Sequence, residues 1–173
     1  MTPILIFTDG SSKANGKPEC IGGWSMVIPN FQGKMFVRYG QLPAPSSNNK
    51  AEIMGVLYAL SIFSKSPQFK PIIHSDSQYV VKSCNEWRYG WAKSNYEGIK
   101  NRALLVPLFE LIDKSINRPD LQWVKGHAGN HGNELADEFA GLGKSGTIRD
   151  KNDAVSNIRY VPYEELPYDL VSP

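Results

Sequence analysis

The 173-residue chain contains no apolar run approaching the roughly 18 residues that a membrane span requires. Met1-Thr2-Pro3 leads straight into a strand-like run, with no charged n-region, apolar h-region or cleavage site. These absences predict a soluble, cytoplasmic protein. Cysteine is scarce: Cys20 and Cys84 lack metal-type spacing and make at most one bridge, so neither a disulfide framework nor a zinc site is expected. Net charge is only +2, too small by itself to announce a nucleic-acid partner. Internal repeats are missing too, and the length suits one domain with a single hydrophobic core.

What charge there is, is unevenly placed. From residue 149 onward Arg149, Lys151 and Arg159 face Asp150, Asp153, Glu164, Glu165 and Asp169, so this end is acidic and the rest is basic. Within residues 82–102 Lys82, Arg88, Lys93, Lys100 and Arg102 outnumber Glu86 and Glu97.

The first apolar run, Ile4-Leu5-Ile6-Phe7, reads as a buried strand that Thr8-Asp9-Gly10-Ser11 ends with turn chemistry. Asp9 is then expected at a strand's carboxyl end, the edge where sheets with parallel strands bind ligands. Residues 22–28 and 34–41 read as two further strands around the turn cluster Pro29-Asn30-Phe31-Gln32-Gly33, completing an antiparallel meander. Asn48-Asn49 opens a helix carrying Ile53, Val56, Leu57 and Leu60, which Pro67 stops. Residues 70–75 form a strand, and Asp76-Ser77 caps a helix from Gln78 to about Asn85. A strand, helix, strand order implies a right-handed crossover and parallel pairing with the first strand, so Asp76 falls beside Asp9. Leu104, Leu105, Leu108, Leu111, Ile112 and Ile116 mark an amphipathic helix, and residues 121–125 a further parallel strand. A glycine-rich loop over 126–132 precedes a last helix capped by Asn133 and ending near Gly143.

Four carboxylates thus have reason to converge: Asp9, Glu52, Asp76 and Asp137. Each has a structural alternative. Asp9 suits a turn, Asn49-Lys50-Ala51-Glu52 a capping box, Asp76 an N-cap and Asp137 plain helix-surface charge. Acids gathered without matching bases repel one another and persist where hard divalent cations neutralise them. Mg²⁺ suits such oxygen ligands, and two ions about 3.5–4 Å apart can serve phosphodiester hydrolysis.

Four blocks together resemble type 1 ribonuclease H: Thr8-Asp9-Gly10-Ser11, Asn48-Asn49-Lys50-Ala51-Glu52, Ser75-Asp76-Ser77-Gln78-Tyr79-Val80, and Gly126-His127-Ala128-Gly129 with Asn133-Glu134-Leu135-Ala136-Asp137. The resemblance implies an α/β, ribonuclease H-like fold: a five-stranded mixed sheet, three antiparallel strands and then parallel ones, with helices on both faces. It implies an endonuclease that cuts the RNA strand of an RNA–DNA hybrid, leaving 5′-phosphate and 3′-hydroxyl ends. By position, Asp9, Glu52, Asp76 and Asp137 become ligands of two Mg²⁺ ions, for which Mn²⁺ can substitute, with Asp9 bridging. His127 matches a loop histidine that assists proton transfer or product release. Asn15, Asn48, Asn49 and Gln78 match residues meeting the hybrid's minor groove, where amides can sense a 2′-hydroxyl.

Bacterial members often carry a basic helical handle where this chain has only the short segment 87–100. Trp87 and Trp91, four residues apart, read as a platform for the DNA strand or as a packing face; Lys93 and Lys100 are expected to meet its phosphates. His74 and His131 receive no role. Competing readings are a hybrid-binding module without cleavage, another nuclease or strand-transfer enzyme of the superfamily, and a domain cut from a reverse transcriptase. The catalytic domain is placed at 1–143, in a monomer. Residues 144–173 are expected to form a polar linker to about Asn157, then a docked piece using Ile158, Tyr160, Val161, Tyr163 and Leu166, or else a wholly disordered tail, since Pro162 and Pro167 break up these few apolar residues; in either case the tail is expected to be dispensable for activity.

Overall fold

In the computed structural model, residues 1–168 are described; the end of the expected extension, residues 169–173, lies outside them. The chain runs β1 (Thr2–Lys13), β2 (Ile21–Phe31), β3 (Lys34–Leu42), α1 (Asn48–Phe63), β4 (Phe69–Ser75), α2 (Gln78–Lys82), α3 (Arg88–Ala92), α4 (Arg102–Lys114), β5 (Asp120–Trp123), α5 (His131–Ser145), β6 (Lys151–Asn152) and β7 (Ser156–Tyr160). One π-helical turn, Ser83–Trp87, joins α2 to α3, so the Trp-bearing segment begins helical where a break after Asn85 was expected.

The α/β, ribonuclease H-like architecture is as expected, but the sheet has seven strands, in the order β5-β4-β1-β2-β3-β7-β6, and not five. β1, β2 and β3 form the antiparallel meander, while β4 and β5 add in parallel beyond β1. Gln32 and Gly33, both at positive φ, make the two-residue turn between β2 and β3. That turn's twist matches the right-handed twist of the flanking strands.

Alternation along β1 assigns its faces. Ile4 and Ile6 point into a core built with α1 and α4, including Trp24, Met54, Leu57, Leu105 and Phe109. Phe7 points the other way, joining Val27, Val37 and Tyr39 under Ala136 and Phe139 of α5. Each such side chain, fully buried, contributes about 1.5–3 kcal/mol. The two cores sandwich the sheet, and the parallel strands β1 and β4 lead toward the edge where Asp9 and Asp76 lie.

The extra strands come from the extension. β7 pairs in parallel with β3, from Met35 opposite Ser156 to Tyr39 opposite Tyr160, and β6 folds back antiparallel on β7. The expected polar linker therefore holds a strand pair, closed by Asp153 Oδ1, which accepts from Val155 and Ser156 N–H at 2.9 Å each. Ile158 enters the α5-side core, and Val161 and Leu166 the α1-side core. Tyr160 packs edge-on against Tyr39, whereas Tyr163, expected to dock, is exposed.

Helix ends differ from expectation by a residue or more. Ser47, not Asn49, caps α1 by accepting from Lys50 N–H at 3.0 Å, so Glu52 is not part of a capping box. Ser77 rather than Asp76 caps α2 through Val80 N–H, and Asn130 rather than Asn133 caps α5 through Asn133 N–H. Ile116 lies beyond the end of α4 and is exposed. α5 runs past Gly143 to Ser145, where left-handed Gly146 closes it.

Candidate active site

β1 does not end at Phe7. It continues through Asp9 to Lys13 because β2 keeps pairing with it, whereas β4 stops at Ser75, opposite Thr8. Asp9 is therefore an interior residue of β1, at the step where parallel pairing ends, and not a turn residue. Asp76, the first residue past β4, stands next to it.

Glu52 reaches the same place from α1. A Cβ on Gly10 would collide with the Glu52 backbone nitrogen and with Ala51, and one on Gly55 would sit 3.3 Å from the Asp9 carbonyl. Both glycines let helix and strand touch through their backbones. The outcome is a group of carboxylate oxygens from Asp9, Glu52 and Asp76 lying within 4.8 Å of one another.

The electrostatics follow from that crowding. Burial, then the Asp76 charge, push the Asp9 carboxyl up to about 7, against hydrogen bonds from Glu52 and from Gly10 N–H at 2.8 Å. Burial and the Asp9 charge raise Glu52 well above the carboxylate range. Asp76, half-buried, is also raised by burial, with the Asp137 charge adding and nearby His127 opposing. Without a cation the trio holds protons and shares hydrogen bonds. Glu52 Oε2 is buried with no hydrogen-bond partner. An orphaned carboxyl oxygen among oxygen-only donors fits a hard divalent cation, whose arrival would displace the shared protons, and no soft metal.

Asp137 is not in the tight group. It sits exposed on α5, close enough for its charge to act on both Asp9 and Asp76. His127 is exposed in the loop before α5 and adopts a left-handed φ of 55°. That loop comes close because residue 126 is glycine: a Cβ there would lie 2.9 Å from Asp76 Oδ2.

Among the expected groove residues, Asn15 and Asn48 are joined, the Asn15 side-chain oxygen Oδ1 accepting from Asn48 N–H at 3.0 Å. Ser12 hydroxyl donates to the Asn48 side chain. Asn48 and Asn49 are exposed in the first turn of α1, the helix that presents Glu52, and Gln78 is exposed at the start of α2. Trp87 and Trp91 do contact, with ring centroids 5.9 Å apart. Trp91 also packs on Phe109, whereas Trp87 is 42% exposed and meets Tyr79 edge-on. One ring is thus mostly packing and the other offers a surface. Lys93 and Lys100 are exposed beyond them.

One residue near the carboxylates escaped the sequence reading. Trp123, opposite Ser75 in the β4–β5 pairing, donates its indole N–H to the Asp76 carbonyl at 3.1 Å. The expected parallel placement of the strand at residues 121–125 was its available signal.

Comparison with known proteins matches this arrangement to one family. The RNase H family model covers residues 1–145. The curated "Ribonuclease H" of Caulobacter sp. (strain K31) is 36% identical over 155 residues, covering 87% of this chain and 96% of that protein. Its counterpart from Acidovorax sp. (strain JS42) is 35% identical over 148 residues, or 83% and 95%. Among solved structures, LC9-RNase H1, described as a type 1 RNase H with the type 2 active-site motif, superposes with a TM-score of 0.67 at 24% identity, over 89% of this chain and 76% of that one. The foamy viral protease-reverse transcriptase in complex with RNA/DNA hybrid shares the fold at 19% identity and TM-score 0.66, over 82% of this chain and 20% of that one. With that profile match along most of its length, those full-length relatives and the acidic trio at the strand ends, the chain belongs to the RNase H family.

Proposed function

We propose that this protein is an endoribonuclease that hydrolyses the RNA strand of RNA–DNA hybrids with two divalent ions, Mg²⁺ in the cell, leaving 5′-phosphate and 3′-hydroxyl ends. The observation that carries this reading is the trio Asp9, Glu52 and Asp76, within 4.8 Å, with one Glu52 oxygen buried and unpartnered. Asp9, hydrogen-bonded to both of the others, would hold the ions together with Glu52 and Asp76, and Asp137 would add a carboxylate from α5. Bound there, Mg²⁺, or Mn²⁺ in its place, supplies the positive charge that activates a water and stabilises the leaving oxygen in phosphodiester hydrolysis.

The remaining roles belong to the chain's own side chains. His127, exposed on its loop beside Asp76, can take a proton from the water or give one to the leaving oxygen. Asn15, Asn48, Asn49 and Gln78 donate to and accept from 2′-hydroxyls and base edges of the RNA strand. Trp87, Lys93 and Lys100 hold the DNA strand, and Trp91 supports Trp87 by packing between it and Phe109. A hybrid-bound structure of a fold neighbour supports the substrate class. We take the protein to be a cytoplasmic monomer; among the described residues no helix is long and apolar enough to cross a membrane.

Three duplexes of one sequence test the proposal, at equal Mg²⁺ with each strand labelled in turn. The RNA strand of the hybrid should be cut with the stated ends, double-stranded RNA poorly and double-stranded DNA not at all. Comparable cleavage of the DNA duplex would refute both the substrate and the roles of the four amides.

A further inference from the structure

We infer that Trp123 and Lys82 form a subsite for one nucleotide of the RNA strand next to the scissile phosphate, a reading that rests on the hybrid-nuclease function proposed above. Trp123 ends β5 and lies 47% exposed although its N–H is used, bonded to the Asp76 carbonyl at 3.1 Å. That bond pins the ring's orientation. Between the indole and α2 opens a cleft of about 310 Å³ lined by Gln78, Val81, Lys82, Glu86 and Trp123.

The cleft's position, size and chemistry each narrow its occupant. Trp123, which lines it, is bonded to the backbone of Asp76, and Gln78 lines it too, so a strand that meets the trio and Gln78 comes within reach of it. Its volume lies at the small end of ligand sites, room for one nucleotide and not a duplex. An indole face takes the flat, apolar side of a sugar or base. In an intact hybrid the bases are already stacked on their neighbours, which leaves the sugar to meet Trp123. Lys82 is absent from the ion pairs of the described residues, so its ammonium is available to phosphate. Glu86, the only carboxylate lining the cleft among the described residues, repels phosphate toward Lys82 and can accept from a sugar hydroxyl.

A subsite of this kind contributes binding, so its loss should appear in affinity before turnover. We would measure steady-state cleavage of the hybrid with Mg²⁺, and hybrid affinity in EDTA by fluorescence anisotropy, for the full chain and for Trp123→Ala, Trp123→Phe and Lys82→Gln. Trp123→Ala should raise both KM and Kd about five- to tenfold, no more than the lower part of the range for a base stacked on an aromatic ring, since here a sugar takes the base's place. Trp123→Phe, which keeps the ring face and loses the N–H, should recover most of that affinity. Lys82→Gln, exposed and remote from the core, should weaken binding several-fold and reduce its salt dependence whether or not Trp123→Ala folds well. The inference is overturned if Kd is unchanged in Lys82→Gln and in Trp123→Ala, or if Trp123→Ala and Trp123→Phe both lose kcat at constant KM, which would make the indole only a prop for Asp76. Wild-type protein that neither binds nor cuts the hybrid would sink the functional reading itself; wild-type cleavage with unaffected variants would sink the subsite alone.

Discussion

Asp9 and Glu52 share a hydrogen bond between two carboxyl groups in the buried corner where β1 meets α1. Such a pair holds together only while at least one member keeps a proton or a cation replaces it.

Stability should therefore depend on pH with an unusual sign. Folded-state pKa values of Asp9, Glu52 and Asp76 lie above their unfolded ones, Asp9 at about 7. The folded protein binds more protons than the unfolded chain above about pH 4, so the metal-free form loses stability as pH rises from there through about 7. Its Tm should fall between pH 5 and 8, and Mg²⁺ or Mn²⁺ should raise it more at pH 8 than at pH 5. A metal-free Tm that climbs across that range would contradict the raised values.

His127→Ala should slow turnover by roughly one to two orders of magnitude, the low end for a positioned acid or base. Metal-induced stabilisation should persist, since His127 lies outside the carboxylate trio. An unchanged rate from pH 6 to 9 would make it a spectator.

Neutralising Lys93 and Lys100 together should raise KM and reduce the slope of log affinity against log salt by nearly 2, because fewer counterions are released on binding. A fall in kcat at constant KM would argue against phosphate contacts there.

Truncation after Gly143 is now expected to do harm, reversing the expectation from sequence. It removes Ile158, Val161 and Leu166 from the two cores and uncovers the edge of β3. It also removes both partners of the Tyr39 hydroxyl, which donates to the Thr147 carbonyl at 2.8 Å and accepts from Arg149 N–H at 2.6 Å. At about 1.5–3 kcal/mol per buried side chain, Tm should drop by at least about 5 °C. A truncate that melts within about 2 °C of the full chain would show the added strands to be ornamental.

The core of the fold was legible because β1 opens on a short continuous apolar run, α1 is apolar along most of its length and α4 is amphipathic, and four carboxylates stood in blocks whose order implied convergence. β7 was hidden for a physical reason. Its five residues, Ser156–Tyr160, carry one buried apolar side chain, Ile158, and are held by pairing with β3 more than a hundred positions earlier. The end of β1 was misjudged because Asp9-Gly10 has turn chemistry, yet here glycine serves the contact with α1. Cap errors arose where several capping residues stand together, as in Ser46-Ser47-Asn48-Asn49.

The most direct test of the central claim is single-turnover cleavage of a labelled RNA–DNA hybrid by the wild type and by Asp9→Asn, with Mg²⁺ and with EDTA, alongside the metal-free Tm of both proteins. Cleavage by the wild type should require Mg²⁺, and the variant should lose at least about 100-fold, the equivalent of about 2.7 kcal/mol of transition-state stabilisation. Its metal-free Tm should equal or exceed that of the wild type at pH 8, because one of the crowded charges is gone. Near-normal cleavage by Asp9→Asn, or wild-type cleavage undiminished in EDTA, would contradict the account.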